Sequence, residues 1–116
     1  MGYRSEVYLG IDNDIIEQLL TFVGVNQEVY RLLFDDSEYA ERTKKGGLHF
    51  RWDWVKWYDG YEPIEKLTDF LNTHNDNIKF LRIGESSDDI EEDGGSEQFY
   101  FEVHRAVEIH IDGEVV

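Results

Sequence analysis

The densest chemistry in this chain is carboxylate. From Gly84 to Glu97 the sequence reads Gly-Glu-Ser-Ser-Asp-Asp-Ile-Glu-Glu-Asp-Gly-Gly-Ser-Glu, seven acidic side chains in fourteen residues. Hard divalent cations take oxygen ligands, and a calcium loop spaces them at alternate positions with glycine at the sixth. With Asp89 as the first position, Glu91 falls third, Asp93 fifth and Gly94 sixth. The match then breaks, because the twelfth position is Tyr100 where a bidentate glutamate is required. The better reading is a solvated acidic loop over about 84–97, in which Glu85, Asp88, Asp89, Glu91, Glu92 and Asp93 form an anionic prong. Carboxylates gathered in this way imitate duplex DNA, whose charges are spaced roughly 1.7 Å apart along the axis. A basic nucleic-acid site on another protein would accept them.

A second cluster is aromatic: Trp52, Trp54, Trp57, Tyr58 and Tyr61 place five large rings within ten residues. If Trp52 and Trp54 share a core face, Trp57 and Tyr58 lie beyond a change of register. There they either wrap the sheet edge or stand at the surface. An exposed pair anchors a partner, since Trp and Tyr bury much area at low entropic cost. Stacking on single-stranded nucleic acid is the competing use, and the charge of the chain opposes it.

Histidine and catalysis offer less. Of His49, His74, His104 and His110, only His104 and His110 share an expected strand face, with Glu102 and Glu108, and no helical i, i+4 pair exists. No phosphate loop, nucleophile elbow or cysteine is present, and paired carboxylates are unavoidable at this composition. The sequence therefore assigns no catalytic residue, no metal ligand and no cofactor, and the chain is read as a binder and not an enzyme.

Elements that position these residues follow from periodicity. Tyr3 to Ile11 alternates, with Val7, Leu9 and Ile11 on one face and Glu6 and Tyr8 on the other, which predicts a strand. Ile15, Ile16, Leu19, Leu20 and Val23 recur at helical spacing behind Asp12, Asn13 and Asp14 as caps, with Gly24 as the stop. Asn26 caps a second helix striped by Val29, Leu32 and Leu33 and ending near Asp35–Asp36. Residues 37–46 read as a short helix or mobile loop. Leu48, Phe50, Trp52 and Trp54 alternate with His49, Arg51 and Asp53, a second strand. Pro63 opens a third helix whose buried face is Ile64, Leu67, Phe70 and Leu71. Ile78–Ile83 is apolar on both parities, as an interior strand covered on both faces must be. Phe99 to Ile111 is one long bent strand or two strands broken near Arg105–Ala106. The order β-α-α-β-α-β-β(β) predicts an α+β fold: a mainly antiparallel sheet of four to five strands with two to three helices packed on one face.

Composition bounds the rest. The 116 residues suit one acidic domain over 1–116, and 41% hydrophobic and 15% aromatic content is enough for a core. Eleven basic against 26 acidic side chains leave a formal charge of −15. Such a surface repels nucleic acid and anionic membrane and favours basic protein partners. No apolar run approaches the roughly 20 residues of a membrane span, and the opening has no apolar leader, so a soluble, unexported chain is expected. The absence of cysteine suits a reducing cytoplasm.

Met1-Gly2-Tyr3-Arg4-Ser5-Glu6-Val7, Val55-Lys56-Trp57-Tyr58, Arg82-Ile83-Gly84-Glu85 with Asp88-Asp89-Ile90-Glu91, and His104 to Ile109 form a pattern spanning both ends of the chain. It resembles a family of small acidic bacteriophage and prophage proteins with an MGYRS(D/E)V start and an RIGE..DDIE motif. The resemblance carries over no activity, ligand or catalytic residue. It implies a phage context, in which small acidic proteins bind and block host machinery in the host cytoplasm. The expected function is therefore inhibition of a host defence protein, of anti-CRISPR or anti-restriction type, by occupying its basic nucleic-acid site. Glu85, Asp88, Asp89, Glu91, Glu92 and Asp93 would supply the charge, with Trp57 and Tyr58 as anchors. The alternatives are a phage accessory protein that pairs with itself as a homodimer, and a divalent-metal module.

Overall fold

A computed structural model describes residues 3–86, 88–103, 107–111 and 114–115, with 102–103, 107–111 and 114–115 described as backbone alone. Five antiparallel strands form the main sheet in the order β2-β3-β1-β4-β5: β1 (Ser5–Ile11), β2 (Tyr39–Arg42), β3 (Leu48–Val55), β4 (Ile78–Ile83) and β5 (Ile90–Asp93). A second sheet, β6 (Phe99–Val103), β7 (Val107–Ile111) and β8 (Glu114–Val115), is also antiparallel. The fold is α+β, as the patterning predicts.

Val7, Leu9 and Ile11 of β1 sit opposite Trp52, Phe50 and Leu48 of β3, and this face packs against the helices. Helix α1 (Ile16–Val25) follows a 3-10 turn at Asn13–Ile15, capped by Asp12, whose Oδ1 accepts from the Asp14 amide at 3.1 Å. Its buried stripe is Ile15, Leu19 and Val23, four residues apart, while Leu20 stands half exposed to one side. Gly24 lies inside the helix, not at its stop. Helix α2 (Gln27–Tyr30) continues through a π turn, Arg31–Asp35, and buries Val29, Leu32 and Leu33. The Asn26 side chain does not cap it. It donates back to the Phe22 carbonyl at 2.9 Å, and the Asn26 carbonyl accepts from the amides of Val29 and Tyr30. Helix α3 (Glu62–Thr73) has Pro63 in its first turn, where no amide is needed, and buries Ile64, Leu67, Phe70 and Leu71. Among the described residues no helix is long and apolar enough to cross a membrane.

The opposite face of the sheet is covered by β6. Phe99 and Phe101 form a second apolar cluster with Tyr8 and Leu81, which explains why β4 is apolar on both parities. The Phe99–Ile111 segment is two strands, paired Phe99 to Ile111 through Val103 to Val107. The expected break at Arg105–Ala106 lies outside the described residues, as do Met1, Gly2, His104 and the side chains of Glu102, Glu108 and His110.

Two segments differ from expectation. Residues 39–42, read as helix or loop, are the edge strand β2, paired with β3 from Tyr39↔Arg51 to Arg42↔Leu48. Their polarity comes from exposure on an edge, where only one side of the strand has a partner. Residues 90–93, read as part of a loop, are the opposite edge strand β5. All four are exposed, so no apolar alternation marks them as strand.

Candidate functional site

The acidic segment is tied to the start of the chain through one arginine. Arg82 on β4 donates to both carboxylate oxygens of Asp89, Nη2 to Oδ1 at 2.8 Å and Nη1 to Oδ2 at 3.3 Å. Its Nε reaches Glu91 Oε1 at 2.9 Å, and Nη1 also donates to the buried Ser5 hydroxyl at 3.0 Å. The Tyr3 hydroxyl donates to Asp89 Oδ2 at 2.5 Å and accepts from the Ser86 amide at 3.1 Å. Arg82, then Tyr3, hold the Asp89 carboxyl below the usual carboxylate range; the Asp89 hydrogen bond correspondingly raises the guanidinium. Gly84 makes this convergence possible, since a β-carbon there would stand 2.1 Å from Asp89 Oδ2 and 2.3 Å from the Tyr3 hydroxyl.

The six expected carboxylates therefore do not act as one free prong. Glu85 accepts from the Arg4 amide at 2.6 Å, Asp89 and Glu91 are ion-paired with Arg82, and Asp93 accepts from Asn75 Nδ2 at 3.0 Å and the Gly94 amide at 2.8 Å. Asp88 and Glu92 are exposed with no ion pair among the described residues. Strand alternation divides the edge further. Glu91 and Asp93 lie opposite Arg82 and Phe80 on the helix side, whereas Glu92 lies opposite Leu81 on the hairpin side. This geometry differs from a calcium loop, whose ligands turn inward around one point. Among the described residues no group of three His, Asp or Glu is gathered so as to hold a metal.

On the helix side, β5, α3 and the segment after β3 enclose a groove of about 270 Å³. Trp57, Leu71, Ile78 and Phe80 form its apolar floor. Asp59, Glu91 and Asp93 add three carboxylates, of which Glu91 is also ion-paired with Arg82, and among the described residues no lysine or arginine lines the groove. The expected role of Trp57 as a protruding anchor is corrected here. Its ring is buried, 5.1 Å from Trp52 and 6.0 Å from Phe80 between centroids, as part of the helix-side core. Tyr58 stays exposed at 41%, its hydroxyl donating to the Tyr3 carbonyl at 2.9 Å.

No family model, curated protein or solved structure matches this chain.

Trp54 leaves the core face on which alternation places it. Ser5 pairs with Val55 but Val7 with Trp52, so β3 carries one extra residue between them. A bulge of this kind redirects the side chains that follow it. Trp54 is 58% exposed and helps line a cleft of about 590 Å³ beside Tyr58 and Tyr61, over Leu32 and Val55.

Sequence reasoning missed Asp59, Tyr3, Arg82 and His49. The lone Asp59 has no acidic neighbour to mark it, and the pairing of Tyr3 with Asp89 spans 86 positions. His49 alternates as an outward strand residue, yet it is buried beneath Phe99 and Phe101 and beside Tyr39. Burial first, then Arg51, pushes its pKa down to about 4.

Proposed function

We propose that this chain is a phage-derived binding protein that receives a basic segment of a host protein along the β5 edge and blocks that partner's nucleic-acid site. The observation that carries this reading is the groove in which Trp57, Leu71, Ile78 and Phe80 lie beneath Asp59, Glu91 and Asp93. An arginine or lysine side chain is an aliphatic stem ending in a cation, and it buries the stem on apolar surface while the head meets carboxylates. Exposed Asp88 and Glu92 extend the negative field outside the groove, and the −15 charge steers cationic partners toward it. The same charge disfavours direct nucleic-acid binding. The resemblance to small phage proteins supports a host defence protein as the partner and the host cytoplasm as the setting.

The test is retention of nuclease-treated bacterial lysate on immobilised chain. Two variants at exposed positions, with folding checked by circular dichroism, serve as controls: Asp59→Lys with Glu92→Lys, and Asn72→Lys, which places a cation at the groove wall. Wild type should retain nucleic-acid-binding proteins that high salt or added duplex DNA releases, and both variants should lose them. Retention that survives in both variants, or that DNA leaves untouched, overturns the reading.

A further inference from the structure

The cleft lined by Trp54, Tyr58 and Tyr61 is separate from the acidic groove and has the opposite charge character. These three rings are 58%, 41% and 56% exposed, and they surround one concavity of about 590 Å³. Singly exposed aromatics are ordinary, but three around one cleft form an apolar patch of the kind that marks a binding site. Its size falls within the range of small-molecule pockets. The bulge in β3 that turns Trp54 outward is what opens this site.

Its polar lining is cationic in a chain where cations are scarce. Only 11 of 116 residues are lysine or arginine, and Arg51, Lys66 and Arg82 are consumed in ion pairs. Arg4 and Lys56 both line the cleft, and neither forms a salt bridge among the described residues. Asp36 supplies one acceptor at the same wall.

We infer that this cleft binds a small aromatic anion of nucleotide size. A nucleobase stacks on Trp54 and the tyrosines, phosphate meets Arg4 and Lys56, and Asp36 accepts from an exocyclic amine or a ribose hydroxyl. Size and charge select a single nucleotide over a strand. A strand carries its phosphates away from Arg4 and Lys56 and over the rest of a chain at −15, whereas the phosphates of one nucleotide stay beside the two cations.

The full chain is titrated with AMP, ATP, adenosine and tripolyphosphate, read by calorimetry and by tryptophan fluorescence. Trp52 and Trp57 are buried, so a stacked base quenches chiefly Trp54. AMP and ATP should give heat and quenching at concentrations of about 1 mM or below, with adenosine and tripolyphosphate at least about tenfold weaker. Trp54→Phe should remove the quench, and Lys56→Glu should weaken binding by about tenfold or more. Both positions are exposed, and retained circular dichroism checks their folding. Absence of heat and quench with both nucleotides overturns the inference. So does tripolyphosphate binding as tightly as ATP, or unchanged affinity in Lys56→Glu.

Discussion

Phe99 lays its ring on the bare backbone of Gly10, where a β-carbon would stand 2.4 Å from Phe99 Cγ. Gly10 sits in the central strand β1, between His49 on β3 and Lys79 on β4, so the missing side chain makes the seat for the second sheet. The Gly10→Ala substitution should cost about 1–3 kcal/mol by overpacking. Calorimetric melting measures the loss. In a Phe99→Ala background the added cost should largely vanish, because the colliding atoms are gone.

Trp57 and Trp54 should separate cleanly in stability. Trp57→Ala removes a ring packed on Trp52 and Phe80 and should cost about 3–5 kcal/mol. Trp54→Ala, at an exposed position, should stay within about 1 kcal/mol of wild type. Denaturant midpoints in the reverse order would contradict the packing of Trp57 in the core.

His49 should make the fold sensitive to mild acid. Neither ring nitrogen has a hydrogen-bond partner among the described residues, and burial holds the folded pKa near 4 against an unfolded value of 6.5. Between those values the unfolded chain binds the proton and the folded chain does not, so stability falls as pH drops from 6.5 toward 4. The full difference corresponds to about 3 kcal/mol. Asp89 and Glu28, whose pKa values are lowered by Arg82 and Lys66, lose their contributions further into acid, as pH falls through their folded values. Urea titrations of wild type and His49→Phe across this range should show a flatter pH dependence in the variant.

Much of the main sheet and its helical cover was legible because apolar periodicity reports burial directly. Val7, Leu9 and Ile11 announce a face, and Ile64, Leu67, Phe70 and Leu71 announce another. The edge strands were not legible, since Glu91, Glu92 and Asp93 are exposed on both parities and read as loop. The burial of His49 was hidden for the converse reason: the side that alternation marks as outward is covered by Phe99 and Phe101 of β6, from the far end of the chain. At the candidate site, composition drew the eye to Glu91 and Asp93 but not to Asp59, and gave no account of which carboxylates Arg82, Arg4 and Asn75 already hold. The bulge that releases Trp54 left no trace in residue type, because the extra residue is defined only against the partner strand.

Both margins of the five-stranded sheet end in short, charged strands, Glu41 and Arg42 on β2 and the carboxylates of β5 on the other side. A second copy approaching edge to edge at β5 meets like charge before any amide can pair. Like charge at β5 therefore opposes edge-to-edge ribboning through that margin of the main sheet.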